Sequence, residues 1–256
     1  MRSSGRKALV VYISAGDPTL DATRSLAVAL EKAGVDILEL GVPFSDPLAD
    51  GVVNQLAAAR ALAAGSTVRG VLDCVREIRR TSQLPIVLYT YMNPIYRYGF
   101  EAFHRDAEAA GVDGLLILDL PPDEDAQNAE LSQSTSLKRI RLIAPTTPES
   151  RIAELTKGAS GFIYYVSREG VTGERAEVAT SIDDRVAAIR KTTDLPIAVG
   201  FGISTPEHVR QVAKSADGVV VGSAIVKRIG EWGHEPDLVE RMADFVRPLA
   251  EATKVG

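Results

Sequence analysis

Cysteine and histidine are scarce in this 256-residue sequence, which contains one cysteine, Cys74, and three histidines, His104, His208 and His234. A single cysteine excludes an intramolecular disulfide, and so few soft ligands argue against a structural zinc site. Long apolar runs are also missing, so the sequence predicts no membrane span. The basic start, "MRSSGRKALVVYISAGDP", leads directly into a strand-and-turn pattern, so we expect no signal peptide and a cytoplasmic protein.

An excess of positive charge is absent as well, because the formal net charge is −5. This argues against nucleic acid as the main partner, although a local basic patch can still bind an anion. The chain has no linker, no low-complexity segment and no G-x-G-x-x-G motif after its first apolar run. With 45% hydrophobic and 25% charged residues, the composition is that of a soluble globular protein.

Short apolar runs alternate with longer helical patterns along the chain. Strands are predicted at 9–15, 35–41, 85–91, 113–120, 140–145, 161–167, 196–202 and 218–224. Helices are predicted to end near 34, to begin near 149, and to span 55–64, 67–80, 100–110, 124–132, 182–191, 206–214 and 237–252. Eight strands that alternate with helices predict an α/β fold, a (β/α)₈ TIM barrel formed by residues 1–256 as a single domain. A doubly wound open sheet is the alternative.

The second predicted strand, "VDILELG", carries a charge inside an apolar run. Residues alternate between the two faces of a strand, so Glu39 shares a face with Ile37 and Gly41, while Leu38 and Leu40 share the other. The leucines suit the helix layer, so we expect Glu39 to point into the barrel near the catalytic end of the strand. The alternative is a structural glutamate satisfied by an arginine or by backbone amides.

Four aspartates lie at predicted strand ends or in turns. Alternation in "LLILDLPP" predicts that Asp119 points inward with Leu115 and Ile117, unless it is a plain turn residue before the proline pair. Asp17 in "GDPT" and Asp46 in "SDP" precede prolines and fit turn or cap positions. Asp50 in "ADG" suits a tight turn, yet it lies on a long loop over the predicted active face.

Glycine-rich stretches follow the last predicted strands. "GFGIS" and "GSAIV" occupy the places where barrels commonly bind phosphate, because glycines let backbone N–H groups approach an anion. "GVTG", after the sixth strand, is placed to close over the same pocket. We therefore expect a small phosphorylated substrate. The long segment "REGVTGERAEVATSIDD" suggests a mobile lid that excludes water, with a disordered connector as the alternative.

Together these motifs resemble the alpha subunit family of tryptophan synthase along almost the whole chain. The matching stretches are "SAGDPT", "ELGVPFSDPLADG", "YMNPI", "DGLLILDLPP", "APTTP", "YYVSREGVTG", "VGFGIS" and "VGSAIV". The resemblance implies retro-aldol cleavage of indole-3-glycerol phosphate to indole and glyceraldehyde 3-phosphate, without a metal or an organic cofactor. It also implies a hetero-oligomer with a beta subunit, docked on the loop around 43–46 and the segment near Asn93.

The resemblance also assigns roles to residues. Glu39 would be the general acid and base, Asp50 would hold the indole N–H and stabilise charge on the ring, and Tyr164 would line the site. Partial burial would raise the pKa of Glu39, whereas Asp50 must stay ionised. Gly173, Phe201, Gly202, Gly222 and Ser223 would surround the phosphate. Apart from the resemblance, Phe201 and Tyr91 near the strand ends are candidates for the indole slot, although either could be barrel core. Asp119 is expected among the substrate-binding residues if it points inward. Ile143 is a further candidate for the indole slot, but a position in the barrel core is favoured for this residue.

The sequence departs from the family pattern at two places. Only about seven residues precede the first strand, where the family usually has an additional helix that closes the bottom of the barrel. After "LADG" the family continues with a proline and an Ile-Gln pair, whereas this chain has Val52, Val53, Asn54 and Gln55. Losing the proline should loosen the loop that carries Asp50.

Three other functions remain open at this point. The chain could be a stand-alone lyase of specialised metabolism, or a non-catalytic activator of a beta subunit, which the intact Glu39 and Asp50 argue against. It could also be another phosphate-binding barrel, such as a sugar-phosphate isomerase, which the carboxylate-rich loop after the second strand fits poorly.

Overall fold

Short parallel strands form the centre of the molecule. The computed structural model describes residues 6–121, 124–167, 175–200 and 202–254. The strands within those ranges are β1 Ala8–Ser14, β2 Ile37–Gly41, β3 Ile86–Thr90, β4 Gly114–Ile117, β5 Lys138–Arg139, β6 Arg141–Ile143, β7 Ile163–Val166, β8 Ile197–Gly200 and β9 Gly218–Val221. They pair in the order β5-β4-β3-β2-β1-β9-β8-β7-β6, and every pairing is parallel.

The two strands at the ends of this order are consecutive in the chain. Only Ile140 separates β5, which pairs with β4, from β6, which pairs with β7. The N–H of Ile140 also donates to the carbonyl of Leu115 in β4, at 2.9 Å. Together, β5, Ile140 and β6 therefore take the place of the fifth of eight barrel strands and close the sheet. The predicted (β/α)₈ barrel is confirmed, and its fifth strand is split into two short strands.

Helices cover the outside of the barrel. Their bounds are α1 Leu20–Lys32, α2 Val52–Ala63, α3 Val68–Arg79, α4 Met92–Tyr98, α5 Phe100–Ala110, α6 Ala126–Gln133, α7 Glu149–Lys157, α8 Arg175–Arg190, α9 Pro206–Ala213, α10 Ser223–Trp232 and α11 Leu238–Ala252. The sequence did not predict α4 or α10, and the eighth predicted strand is wrong beyond Val221, because α10 begins at Ser223. Among the described residues, no helix combines the length and the apolar character that a membrane crossing requires.

Alternation along the strands separates two apolar layers. Leu38 and Leu40 pack outward in the core beneath the helices, whereas Ile37 packs in a cluster inside the barrel. The inner cluster comprises Val10, Ile37, Val87, Leu116, Ile140, Phe162, Ala198 and Val220. Because the period of two fixes which side chains enter the barrel, the inner cluster also fixes the residues at the strand ends that face the cavity above it.

Local signals explain where several helices begin. Thr19, Thr67 and Thr205 have extended backbones and accept hydrogen bonds from the first-turn amides of α1, α3 and α9, which otherwise lack partners. Pro206 opens α9, where its fixed φ and missing N–H cost nothing. These caps agree with the turn residues of the sequence, so the predicted boundaries of those helices lie within a few residues of the observed ones.

Asp17 ties the loop after β1 to α2. Its side chain is 1% exposed, and its two oxygens accept hydrogen bonds from Nε and Nη2 of Arg60, at 2.8 and 2.7 Å. A two-pronged contact of this kind is the strongest arrangement of an arginine and a carboxylate. Asp17 is therefore a structural residue that holds the helix following the loop of Asp50.

We expect Arg60→Met to lower the free energy of unfolding by about 3 kcal/mol, because it leaves the buried carboxylate of Asp17 without its cation. Urea denaturation would measure the loss. Arg76→Met is the matched control, since Arg76 and Asp73 are both exposed and their pair contributes less than about 1 kcal/mol. A double variant with Asp17→Asn should recover part of the loss, and equal effects of Arg60→Met and Arg76→Met would contradict the assigned role.

Candidate active site

A cavity of about 410 Å³ opens at the carboxyl ends of the strands. Polar and apolar side chains from most of the barrel converge on it, together with the loops after β2, β8 and β9. The lining residues that matter for chemistry are Tyr12, Glu39, Asp50, Asn54, Tyr89, Tyr164, Gly202, Gly222 and Ser223. Barrel enzymes carry their catalytic groups at this end, so this cavity is the candidate active site.

Glu39 lies in the wall of the cavity and points inward, as predicted. Its neighbours across the sheet are Tyr12 in β1 and Val87 in β3. The residue is 1% exposed, and its Oε1 atom has no hydrogen-bond partner among the described residues. Burial raises the pKa of Glu39 from 4.5 to about 8, because the charged form loses its hydration. The carboxyl group therefore keeps its proton at neutral pH.

Asp50 reaches the same cavity from the loop after β2. Its Oδ1 accepts a hydrogen bond from the hydroxyl of Tyr89 and its Oδ2 accepts one from the hydroxyl of Tyr91, both at 2.9 Å. Burial raises the pKa of Asp50, while the hydrogen bonds from Tyr91, Tyr89 and Asn54 act in the opposite direction. The two carboxyl groups thus lie in different surroundings, since Oε1 of Glu39 has no donor among the described residues whereas Asp50 has three.

Two glycines make room for the aromatic walls. A Cβ atom on Gly41 would lie 2.4 Å from the hydroxyl oxygen of Tyr12, and one on Gly200 would lie 2.7 Å from that of Tyr164. Both distances are shorter than any real contact of a side-chain carbon. The tyrosine rings can therefore stand upright beside Glu39 only because these strand positions lack side chains.

Gly202, Gly222 and Ser223 all belong to the wall of the cavity. Ser223 is the first residue of α10, so the partly positive start of a ten-residue helix faces this wall. Backbone amides at a helix start, next to glycines that let a ligand approach, form a natural pocket for a phosphate. Two further predicted phosphate ligands, Gly173 and Phe201, lie outside the described residues.

The expected lid also lies partly outside the described residues, which omit 168–174. The remainder of that segment does not form a loop, because α8 begins at Arg175, seven residues earlier than the sequence predicted. Tyr91 contributes through its hydrogen bond to Asp50, and Tyr164 lies in the cavity wall as predicted. Ile143 packs in the outer core, which confirms the favoured position for it.

The prediction for Asp119 is wrong in its orientation. Leu116 and Leu118 of the same stretch pack inside the barrel, and β4 ends at Ile117, so Asp119 lies in the turn after the strand and not on its inner face. Its side chain is exposed, and Oδ1 accepts a hydrogen bond from the backbone N–H of Met92 at 2.7 Å, at the start of α4. Asp119 therefore caps a helix that the sequence did not predict.

Three residues of the cavity were missed at the sequence level. Tyr12 and Tyr89 lie in apolar runs that predict strands, and their alternation with Val10 and Val87 is the signal that places them inside the barrel. Asn54 stands where the sequence departs from the family pattern. Nothing in the sequence shows that its side chain binds Asp50.

A smaller cavity of about 180 Å³ lies at the opposite ends of the strands, the end whose closure the sequence left open. Its wall is almost entirely apolar and includes Val10, Ile37 and Phe162. The carboxylates beside it are engaged, Asp113 by Arg79 and Asp217 by Arg190. Within the described ranges, no three histidine, cysteine, aspartate or glutamate side chains group into a metal site. The buried acid without a partner for its Oε1 among the described residues, Glu39, lines the cavity at the carboxyl ends of the strands instead.

Comparison with known proteins identifies relatives along nearly the whole chain. The family model for the tryptophan synthase alpha chain matches residues 1–254. Tryptophan synthase alpha chains of Opitutus terrae and Geobacter sulfurreducens are 50% and 52% identical, and the matches cover 99% and 98% of this chain and 96% and 95% of those proteins.

Solved structures agree with these matches. The alpha subunit of Legionella pneumophila has a TM-score of 0.90 and 39% identity, with 98% of this chain and 94% of that chain covered. A chain from a structure of the tryptophan synthase α2β2 complex of Pyrococcus furiosus has a TM-score of 0.89 and 40% identity, with 96% and 99% covered. On these matches, the chain belongs to the tryptophan synthase alpha chain family.

Proposed function

We propose that Glu39 and Asp50 are the two carboxyl groups with which this chain performs the lyase reaction of its family in tryptophan biosynthesis. That reaction cleaves indole-3-glycerol phosphate into indole and glyceraldehyde 3-phosphate. The observation that carries the proposal is the buried Glu39 carboxyl, whose Oε1 has no partner among the described residues. It lines the same cavity as Asp50, Gly202 and Gly222.

Glu39 acts as the acid and then as the base. Its proton goes to the indole ring carbon that carries the glycerol chain, which leaves a positive charge on the ring. The resulting carboxylate takes the proton of the adjacent glycerol hydroxyl, the carbon–carbon bond breaks, and its electron pair returns to the ring as the aldehyde forms. A pKa near 8 suits both steps, because an efficient acid–base catalyst has a pKa close to the working pH.

Asp50 stabilises the positive charge that develops on the indole ring. A carboxylate that accepts the ring N–H must be ionised and fixed in place before the reaction, which the hydrogen bonds from Tyr89 and Tyr91 support. The phosphate would bind at Gly202, Gly222 and Ser223, which anchors the glycerol end of the substrate. Tyr164 fills the wall beside Glu39 and keeps water from its carboxyl group.

Glu39→Gln should fold normally and lose roughly 10²–10⁴-fold in turnover, because the amide keeps the shape of the side chain but cannot give up a proton. Indole release from indole-3-glycerol phosphate measures the rate. Glu154→Gln, on the exposed face of α7, is the matched control and should retain full activity. Near-normal turnover by Glu39→Gln would refute the assignment of this residue.

The stability of the protein should also depend on Glu39. Between pH 4.5 and about 8 the unfolded chain releases the Glu39 proton while the folded chain keeps it, so this group lowers the free energy of unfolding as the pH rises. Glu39→Gln removes the effect. Its stability relative to the wild type should therefore increase from pH 5 to pH 8, by up to about 4 kcal/mol. Denaturation curves across this range would test it, and a pH-independent difference would contradict the burial of an ionisable group.

We further propose that a tryptophan synthase beta chain binds at this end of the barrel, beside the loop after β2. The relative from Pyrococcus furiosus was solved in an α2β2 complex. In this chain Leu48, Val52 and Leu56 are 93%, 69% and 56% exposed and follow one another at intervals of four residues. A groove nearby includes Pro43, Phe44 and Asn93. Exposed apolar side chains grouped in this way are typical of a protein interface.

Leu48→Glu should weaken binding to a beta chain by more than roughly tenfold, because the new charge would have to be desolvated in the interface. Titration calorimetry with a purified beta chain would measure the dissociation constant. Ala153→Glu places the same charge on the exposed face of α7 and should bind like the wild type. Unchanged affinity of Leu48→Glu would show that the partner binds elsewhere.

A further inference from the structure

The carboxylate of Asp50 is held by two tyrosines that make different contacts. Tyr91 donates to Oδ2 of Asp50, and its oxygen also accepts the backbone N–H of Ala49 at 3.1 Å. The ring of Tyr91 packs on Phe44, with centroids 5.4 Å apart. Tyr91 therefore supports both the carboxylate and the backbone of the loop that carries it.

Tyr89 contacts the loop differently. Its hydroxyl donates to Oδ1 of Asp50 at 2.9 Å, and no described hydrogen bond joins it to the loop backbone. The ring is set by the barrel itself, since Tyr89 is an inward residue of β3 and packs edge-on against Tyr12 at 4.9 Å. The donor thus comes from a rigid strand and acts on the side chain of Asp50 alone.

We propose that Tyr89 is a positioning residue for the lyase reaction, holding the carboxylate of Asp50 ionised and directed into the cavity without transferring a proton itself. This role rests on the proposed function of Asp50. The local sequence does not indicate this role, because the interaction joins residues 39 positions apart.

The protonation state of Tyr89 agrees with a donor role. Burial, reinforced by the negative charge of Asp50, raises the pKa of Tyr89 well above its ordinary value. The hydroxyl of Tyr89 therefore stays protonated over the pH range in which the enzyme is active. Asp50 itself is partly buried, which disfavours its charged form, so each donor that it keeps lowers its pKa. Removing one donor must raise that pKa.

Other groups around Asp50 do not replace this donor. The titratable side chains that face it are Tyr12, Glu39, Tyr89, Tyr91 and Tyr164. Glu39 is mostly protonated at neutral pH, and no cation lines the described part of the cavity. Asn54 supplies a third, uncharged donor. The ionised state of Asp50 therefore depends on neutral hydrogen-bond donors, of which Tyr89 is one.

The test compares Tyr89→Phe, Tyr91→Phe and the control Tyr96→Phe, whose side chain is 77% exposed. Tyr89→Phe should lower kcat roughly 10–100-fold with a small change in KM, because the ring charge that Asp50 stabilises develops in the transition state. The acid limb of kcat/KM should move to higher pH, while the basic limb set by Glu39 stays near pH 8. Tyr91→Phe should change kcat and KM together, because the loop also loses its anchor. Tyr96→Phe should match the wild type.

A second variant guards against a folding defect. Replacement of Tyr89 by 3-fluorotyrosine keeps the ring and strengthens the hydroxyl as a donor, so the acid limb should move to lower pH. Wild-type activity with an unmoved acid limb in both Tyr89 variants would overturn the positioning role alone. No release of indole by the wild type at any pH would overturn the proposed function and this role with it.

Discussion

The desolvation of one carboxyl group is the constraint on which the active end of this barrel depends. Glu39 has neighbouring strands on both sides and tyrosine rings above, and it is almost wholly removed from water. A carboxylate there would be very costly, whereas the neutral acid is tolerated. The strands that bury it are the ones that form the inner core, so the raised pKa of Glu39 follows from the closure of the sheet.

Asp50 meets the opposite requirement with a different part of the fold. It lies on a loop, where the chain can adapt its path, but its carboxylate is fixed by hydroxyls from the end of β3. The α2 helix that follows is itself held by the pair between Asp17 and Arg60. A rigid strand thus carries the carboxyl group that is almost wholly buried, and a supported loop carries the one that accepts hydrogen bonds, so two identical functional groups lie in different surroundings.

Much of this arrangement could be predicted from the sequence where polar and apolar residues alternate. In "VDILELG" the single charge marks one face, so the orientation of Glu39 followed. In "DGLLILDL" both faces are apolar, and the face of Asp119 depended on the pairing of Val87 with Gly114, which no local pattern records. The interruption of the fifth barrel strand at Ile140 and the hydrogen-bond partners of Asp50 likewise depend on contacts between residues that are distant in the sequence.

The helices that were missed illustrate a second limit. α4 contains a proline within "MNPIYRY", so propensity alone favours a loop there. α10 begins directly after an apolar strand, so propensity alone extends the strand into it. In both cases the helix start meets the active end of the barrel. Tertiary contacts therefore override local preference where the functional residues gather.

The glycines at positions 41 and 200 affect the dimensions of the cavity that contains Glu39 and Asp50. Since each leaves space that a tyrosine ring occupies, a methyl group added at either position would displace that ring. The shape of the cavity wall therefore depends on two missing side chains that lie outside the pair of acids. Relatives that differ there would be expected to hold molecules of another width, with the same pair of acids.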